Sequence, residues 1–278
     1  MIQDLDFGYL DNHYEKHTPK AEDIVVCFGG KDVLVNRDEN GYLSLPTWRE
    51  VKAWSSSWDK WFDEPVQYIF TLQEKKYFLW MGKSGETGDS KYVYEPAMML
   101  RQRKSKNICF GVMTAWHLYN WYRANLFCGK CGSKTAHDSK ERMMRCTECG
   151  NMIFPRINPA VIIGITSGDK IMLVTHAANT TRYGLVAGFI EIGETAEEAV
   201  AREAMVRVIK EIDEKLTLHD FRMTPAADTR TNLIFDVVIP AELKMSEKQL
   251  NDVICQKARE HDKTYVCVVT YDRDFTGQ

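Results

Sequence analysis

The sequence contains no apolar run approaching the ~20 residues needed to cross a bilayer as a helix, no internal repeat and no low-complexity segment. It also lacks a dominant charge: 36 basic against 39 acidic residues leave a net charge of −3. Helical membrane spans, solenoid architectures and a chain-wide basic field for nucleic acid are therefore not expected. The first residues, MIQDLDFGYLDNHYEKHTPK, are acidic and interrupted by charges rather than leader-like, so a cytoplasmic protein is expected. One basic run, RQRKSK at 101–106, could serve a nucleic acid; a solvated charge run is the simpler reading.

What is present suits a globular protein. The 278 residues are 44% hydrophobic and 11% aromatic, enough for two or three small domains with real cores. Four of the eight cysteines form two CxxC pairs, while Cys27, Cys109, Cys255 and Cys267 lie in apolar stretches typical of core thiols. Reduced cysteines and one metal site are expected in place of a disulfide framework.

Short apolar runs separated by turns fill residues 1 to about 100: DIVVCFGG, KDVLV, GYLSLP, VQYIFTL and KKYFLWMG, broken by Gly-Gly, Asn-Gly and Ser-Gly. They predict a β-rich domain. After the polar loop KSGETGDSKYVYEP, the helical spacing of MTAWHLYNWYRANLF predicts an amphipathic helix whose aromatics pack on that domain. Further on, INPAVIIGITSGDKIMLVTH predicts two strands around a Ser-Gly-Asp turn. YGLVAGFIEIG predicts a strand running into a loop, and Thr195 with Glu198 marks a capped helix start. The tail reads as strands TLHDFRMT, TNLIFDVVIP and TYVCVVTYDRD, with the helix SEKQLNDVICQKAREH before the last.

Cys128 and Cys131, then fourteen residues, then Cys146 and Cys149 is a spacing that brings four thiolates around one tetrahedral ion. Gly132 and Gly150 follow the two pairs and suit knuckle turns whose backbone amides point back at sulfur. Zinc is the expected metal, with iron the alternative in the same cage. With four protein ligands it would be structural, contributing roughly 10–16 kcal/mol to folding.

Gly188, five residues, Glu194, seven residues and then Arg202-Glu203 make up the first half of a Nudix box. Together with FCGKCG, the second knuckle, FPRINPAVI and LVAGFIEIGET, in order, the first 205 or so residues resemble the NADH pyrophosphatase branch of Nudix hydrolases. The resemblance implies an α+β protein with a β-rich N-terminal domain at 1–125, a zinc ribbon at 126–157 and a truncated Nudix α/β/α domain at 158–205. It also implies hydrolysis of NADH or NAD, or of NAD-capped RNA, with magnesium or manganese. By position Ala187 would offer a carbonyl to the metal, Glu203 a carboxylate, Phe189 a stacking surface, and Glu141 and Phe154 substrate contacts. Glu194 and Arg202 would form a structural ion pair.

The second half of the box is missing. The family places glutamates at 206 and 207 and glycine at 209, where this chain has Val206, Arg207 and Ile209. Counting position 203 with these two, a face of charge −3 becomes −1, 0 and +1, a sum of zero. Glu211 lies about 12 Å beyond Glu203 along a helix, too far to share an ion. An SQPW-type segment is also absent, its place taken by TLHDFRMTPAADTRTN. Hydrolysis is therefore expected to be impaired, and the alternative is a non-catalytic dinucleotide- or metal-binding protein.

LTLHDFRM, TNLIFDVVIP, SEKQLNDVICQKARE and CVVTYDRDFTG resemble a second family, the cytoplasmic domain of cation diffusion facilitator transporters. That implies a small α-β-β-α-β domain over 206–278, homodimer formation and a zinc site drawing on His219, Asp236 and Asp272. Arg230 and Thr270 stand where that family often has ligands, so a weakened or absent site is expected, with His219 a strand-end hydrogen-bonding residue. No membrane partner and no transport are expected. The chain then reads as a fusion with its junction inside one helix; the other reading is that the tail supplies strands to the Nudix sheet.

Overall fold

The structure, a computed structural model, describes residues 9–54, 65–82, 89–102, 104–175, 183–226 and 229–273. The chain divides into two compact units, Met1–Arg156 and Ile157–Gln278. Each has its own apolar core, as burial of alternating strand residues and one stripe per helix requires.

In the first unit, strands β1 (Leu10–Asp11), β2 (Ile24–Val26), β3 (Phe28–Gly29), β4 (Asp32–Arg37) and β5 (Leu43–Ser44) precede helix α1 (Trp48–Trp54). Strands β6 (Val66–Leu72), β7 (Lys75–Trp80) and β8 (Val93–Pro96), a 3₁₀ turn (Ala97–Gln102) and helix α2 (Lys106–Ala124) follow. One sheet has the order β1-β6-β7-β2, with β2 parallel to β7; in the other β4 pairs with β3, β5 and β8. The β-rich start expected from the turn residues is thus present, although the Ser-Gly break and the middle of its polar loop, 83–88, lie outside the described residues.

Helix α2 covers the core with Cys109, Val112, Ala115, Leu118, Trp121 and Tyr122, all buried, at intervals of three and four residues. Gly111 lets the helix approach the first sheet closely: a Cβ there would sit 3.3 Å from Leu72 and 3.4 Å from Tyr77. Trp116 and Tyr119 pack against Phe28, with ring centroids at 5.0 and 4.9 Å, so these aromatics serve helix packing. Strands β9 (Thr135–His137), β10 (Met144–Cys146) and β11 (Met152–Ile153) form a small antiparallel sheet, and Met144 joins the core of this unit.

The second unit starts with β12 (Ala160–Ile163), β13 (Thr166–Ser167), β14 (Lys170–Ile171), β15 (Val174–Thr175), β16 (Tyr183–Gly184) and β17 (Val186–Phe189). It continues through α3 (Ala196–Ile212), β18 (Thr217–Pro225), β19 (Thr231–Ile239), α4 (Glu247–His261) and β20 (Tyr265–Arg273). Thr195 accepts from the Glu198 amide and Glu198 reaches back to the Thr195 amide, the predicted capping box. Ser246 and Gln249 start α4 the same way.

Helix α3 crosses residue 206 without interruption and packs on both halves of this unit. Met205, Val208 and Ile209 share a core with Leu233, Phe235, Val237 and Ile239 of β19 and with Leu250, Ile254 and Ala258 of α4. Around the helix from that core, α3 lies against β12 and β17. Strand β19 pairs antiparallel with β18 and parallel with β20, while β12 pairs antiparallel with β17. Among the described residues no strand of the tail pairs with β12 or β17, so the tail builds a sheet of its own instead of extending theirs.

Candidate functional site

The four cysteines come together as their spacing requires. Their sulfur atoms all lie within 4.8 Å of one another, with Cys128–Cys149 at 3.7 Å, Cys131–Cys146 at 3.4 Å and Cys131–Cys149 at 3.5 Å. Four sulfurs at about 2.3 Å from one zinc would stand about 3.8 Å apart, so the cage fits the ion. Both knuckle glycines have left-handed backbones, φ +77° at Gly132 and +70° at Gly150, and their amides donate to the carbonyls of Cys128 and Cys146. The Lys130 amide donates to Cys128 Sγ and the Cys149 amide to Cys146 Sγ, each at 3.4 Å. Such donors favour thiolate: the Lys130 and Cys131 amides hold the Cys128 thiol below its usual range, and the Ser133 amide is the main influence bringing Cys131 down to about 6.

A buried polar cluster lies beside the ribbon. His137 is bonded at Nδ1 to the Asp138 carbonyl at 2.6 Å, and since a carbonyl only accepts, Nδ1 carries the proton. Nε2 then accepts from the Tyr122 hydroxyl at 2.8 Å. Arg142 reaches the Asn12 and Ile69 carbonyls and lies over the Tyr14 ring. Burial lowers the His137 pKa and raises that of Tyr122. In the same unit Glu141 is exposed and Phe154 is 51% exposed, so both are accessible side chains. The RQRKSK run contributes internally where its side chains are described: Lys104 donates to the Asn40 carbonyl and Ser105 accepts from the Leu43 amide.

In the second unit, Arg202 organises the loop between β17 and α3. Its guanidinium donates to both Glu194 oxygens, at 2.7 and 3.1 Å, to Glu203 at 2.7 Å and to the Phe189 carbonyl at 2.8 Å. Glu194 also accepts from the Glu191 amide. The Arg202 guanidinium pulls the Glu194 carboxyl below its usual range, and the two carboxylates raise the arginine further. The expected Glu194–Arg202 pair is present, and Arg202 holds Glu203 as well.

Gly188 explains itself at this point. A Cβ on it would fall 2.0 Å from a Glu203 carboxylate oxygen, so only glycine lets that side chain lie across β17. Ala187, beside it, pairs with Ile162 in the β12–β17 ladder. Phe189 is 65% exposed and, with Ile157, Asn158, Pro159, Ile190, Glu191, Ile192 and Glu194, lines a cavity of about 590 Å³. The isoleucines were not anticipated as site residues; the signal was the alternation FIEIG, which places apolar side chains in a loop, where Ile190 is partly buried and Ile192 fully exposed.

Arg207 follows Glu203 by four residues, hence on the same face of α3 and about 6 Å along its axis. Its Nε is buried and has no hydrogen-bond partner among the described residues. Val206 is half-buried. A divalent ion does not fit this face: one carboxylate is already paired with Arg202, the next position is apolar, and the third is a cation.

His219, Asp236 and Asp272 stand close in register without forming an ion cage. His219 faces Asp236 across β18–β19, while Asp272 is opposite Val238. His219 Nε2 bonds with the Thr217 hydroxyl at 3.1 Å. Among the described residues the cysteine quartet is the one cluster of three or more ligand groups close enough to share an ion. No helix there is long and apolar enough to cross a membrane.

Comparison with known proteins gives two family matches: the NADH pyrophosphatase zinc ribbon domain over residues 123–154 and the NUDIX domain over 156–252. A NAD-capped RNA hydrolase NudC of Haemophilus influenzae (strain PittGG) is 33% identical over 145 residues, 50% of this chain and 53% of that protein. The NudC of Pseudomonas aeruginosa (strain LESB58) is 38% identical over 93 residues, 33% of this chain and 34% of that protein. That of Photorhabdus laumondii is 40% identical over 89 residues, 32% and 35% of the two chains. The chain thus spans about half the length of the Haemophilus relative and about a third of the other two. The NUDIX match crosses residue 206 and continues to 252, so these comparisons do not support a second family beginning at 206.

Proposed function

We propose that this chain is a zinc-ribbon Nudix protein that recognises the pyrophosphate of NAD(H)-type dinucleotides, with divalent-metal hydrolysis impaired. Recognition is supported by the ribbon and NUDIX matches, by the NudC names of the relatives, and by the Gly188–Glu194–Arg202–Glu203 arrangement beside an accessible aromatic. The observation that carries the impairment is the composition of the α3 face, where Glu203 is engaged by Arg202 and is followed by Val206 and Arg207. In the ribbon, Cys128, Cys131, Cys146 and Cys149 would hold zinc, which supplies folding free energy and no reaction step.

Within this reading the chain's own residues orient the ligand. Arg202 fixes the loop through Glu194 and the Phe189 carbonyl, which keeps the Phe189 ring at the edge of the cavity lined by Ile157, Ile190 and Ile192. An aromatic face beside apolar side chains suits stacking of a nicotinamide or adenine ring. The test is product analysis of NADH or NAD-capped RNA incubated with magnesium or manganese, with Glu203→Gln alongside. Turnover that Glu203→Gln abolishes would contradict impairment.

A second reading has the tail acting as a cation-efflux-type dimerising module. It is favoured by the element order α3-β18-β19-α4-β20 and by Val268, 49% exposed on the sheet face turned away from α4. Light scattering across a concentration series tests it: a monomer at every concentration removes it.

A further inference from the structure

We propose that Arg207 takes the place of a divalent cation at this site, so that the chain binds the pyrophosphate of its ligand without a metal ion. The inference rests on the pyrophosphate-recognition reading given above and deepens it.

Three observations lead there. Arg207 follows Glu203, which lies across Gly188 of β17, by about one helical turn, and the 3.6-residue period sets both on the side of α3 away from Met205, Val208 and Ile209. Arg207 is partly exposed and its Nε has no hydrogen-bond partner among the described residues, so the guanidinium keeps donor capacity for an acceptor from outside. The neighbouring guanidinium, Arg202, is by contrast fully engaged by Glu194, Glu203 and the Phe189 carbonyl. Among the cations that follow Glu203 on this face, Arg207 at one turn is nearer than the exposed Lys210 at two turns, and its Nε is left unpaired among the described residues.

The chemistry of the exchange is simple. A divalent ion beside phosphate oxygens neutralises charge and needs protein carboxylates to hold it; a guanidinium supplies charge and directed N–H donors and needs none. Exchanging carboxylates at 206 and 207 for valine and arginine removes the groups that would hold the ion and installs a group that does its electrostatic work. What does not transfer is the activation of a water molecule, because a guanidinium has no proton to give up near neutral pH. Binding without hydrolysis is the combined consequence.

The experiment is calorimetric titration of the full zinc-loaded chain with NADH, in magnesium-free buffer and again with millimolar magnesium chloride. Affinities equal within about threefold in the two buffers are expected. In magnesium-free buffer Arg207→Gln should weaken NADH binding by about tenfold or more, while Arg207→Lys stays within a few-fold of the parent. Thermal melting identifies any variant that fails to fold, and nicotinamide riboside, which lacks phosphate, serves as the control ligand. NADH binding that requires magnesium, or that Arg207→Gln leaves unchanged, overturns the metal-free inference while leaving the site itself standing. No binding in either buffer overturns the site reading from which the inference starts.

Discussion

Arg202 is the residue on which the loop depends. Its guanidinium satisfies two carboxylates and a backbone carbonyl, so Arg202→Gln strands Glu194 and Glu203 in a largely shielded place, where their side chains are 11% and 14% exposed. A loss of about 2–3 kcal/mol is expected by urea unfolding. The pH dependence has a definite sign. Because Arg202 and the Glu191 amide hold the Glu194 pKa below its unfolded value, this stabilisation is complete above the unfolded carboxylate range. It is lost as pH falls below about 4.3 and through the folded value, and Arg202→Gln should flatten that decline.

His137, although a base, gives a pH dependence of the same sign. Burial depresses its folded pKa, so the neutral imidazole belongs to the folded state and its stabilisation is full above about pH 6.5. As pH falls from there through the folded pKa, the unfolded chain takes up the proton first and stability declines. Urea midpoints measured at pH 7.5 and pH 5.5 should differ more for the parent chain than for His137→Gln; equal differences would count against this account.

At the scale of elements, the sequence was most informative where chemistry restricts conformation. The CxxC spacing and its glycines specify two knuckles because tetrahedral sulfur geometry and left-handed backbone admit few alternatives. Thr195 and Glu198 fixed the start of α3 for a similar reason. Chelation of zinc should release the Cys128–Cys149 segment while leaving the core around Phe70 and Leu79 intact, because those side chains pack within the β6–β7 sheet. Limited proteolysis with mass spectrometry would then place new cuts between 128 and 150, and unchanged protection after zinc removal would contradict a structural role. Thr195→Ala should cost about 1 kcal/mol through loss of the cap.

Other features were not legible, for physical reasons. The His137–Tyr122–Tyr14–Arg142 cluster joins residues more than a hundred positions apart, and no local spacing encodes such a contact. Glu203 lying across Gly188 depends on how α3 packs against β17, which the box spacing suggests only through the glycine itself. His219, Asp236 and Asp272 illustrate the reverse error: their types suggested ligands, yet the sheet register sets Asp272 opposite Val238 and leaves no cage.

For the whole molecule, the second unit answers the question raised by a half-written box. One uninterrupted helix serves two surfaces: Glu203 lies across Gly188 of β17 with Arg207 one turn further along that side, and Met205, Val208 and Ile209 face the core with β19 and α4. A helix can do this because its opposite faces are chemically independent at a period of 3.6 residues. Changes at 206 and 207 alter the charge of the first surface and leave the second buried core in place. Val206→Glu with Arg207→Glu should accordingly fold, with a melting temperature within a few degrees of the parent.

The most direct measurement is magnesium-dependent NADH turnover by the full zinc-loaded chain, followed as release of AMP. The account predicts no turnover above the uncatalysed background for the parent chain, and measurable turnover once Val206→Glu and Arg207→Glu are introduced together. AMP release by the parent chain that depends on magnesium and disappears in Glu203→Gln would contradict it.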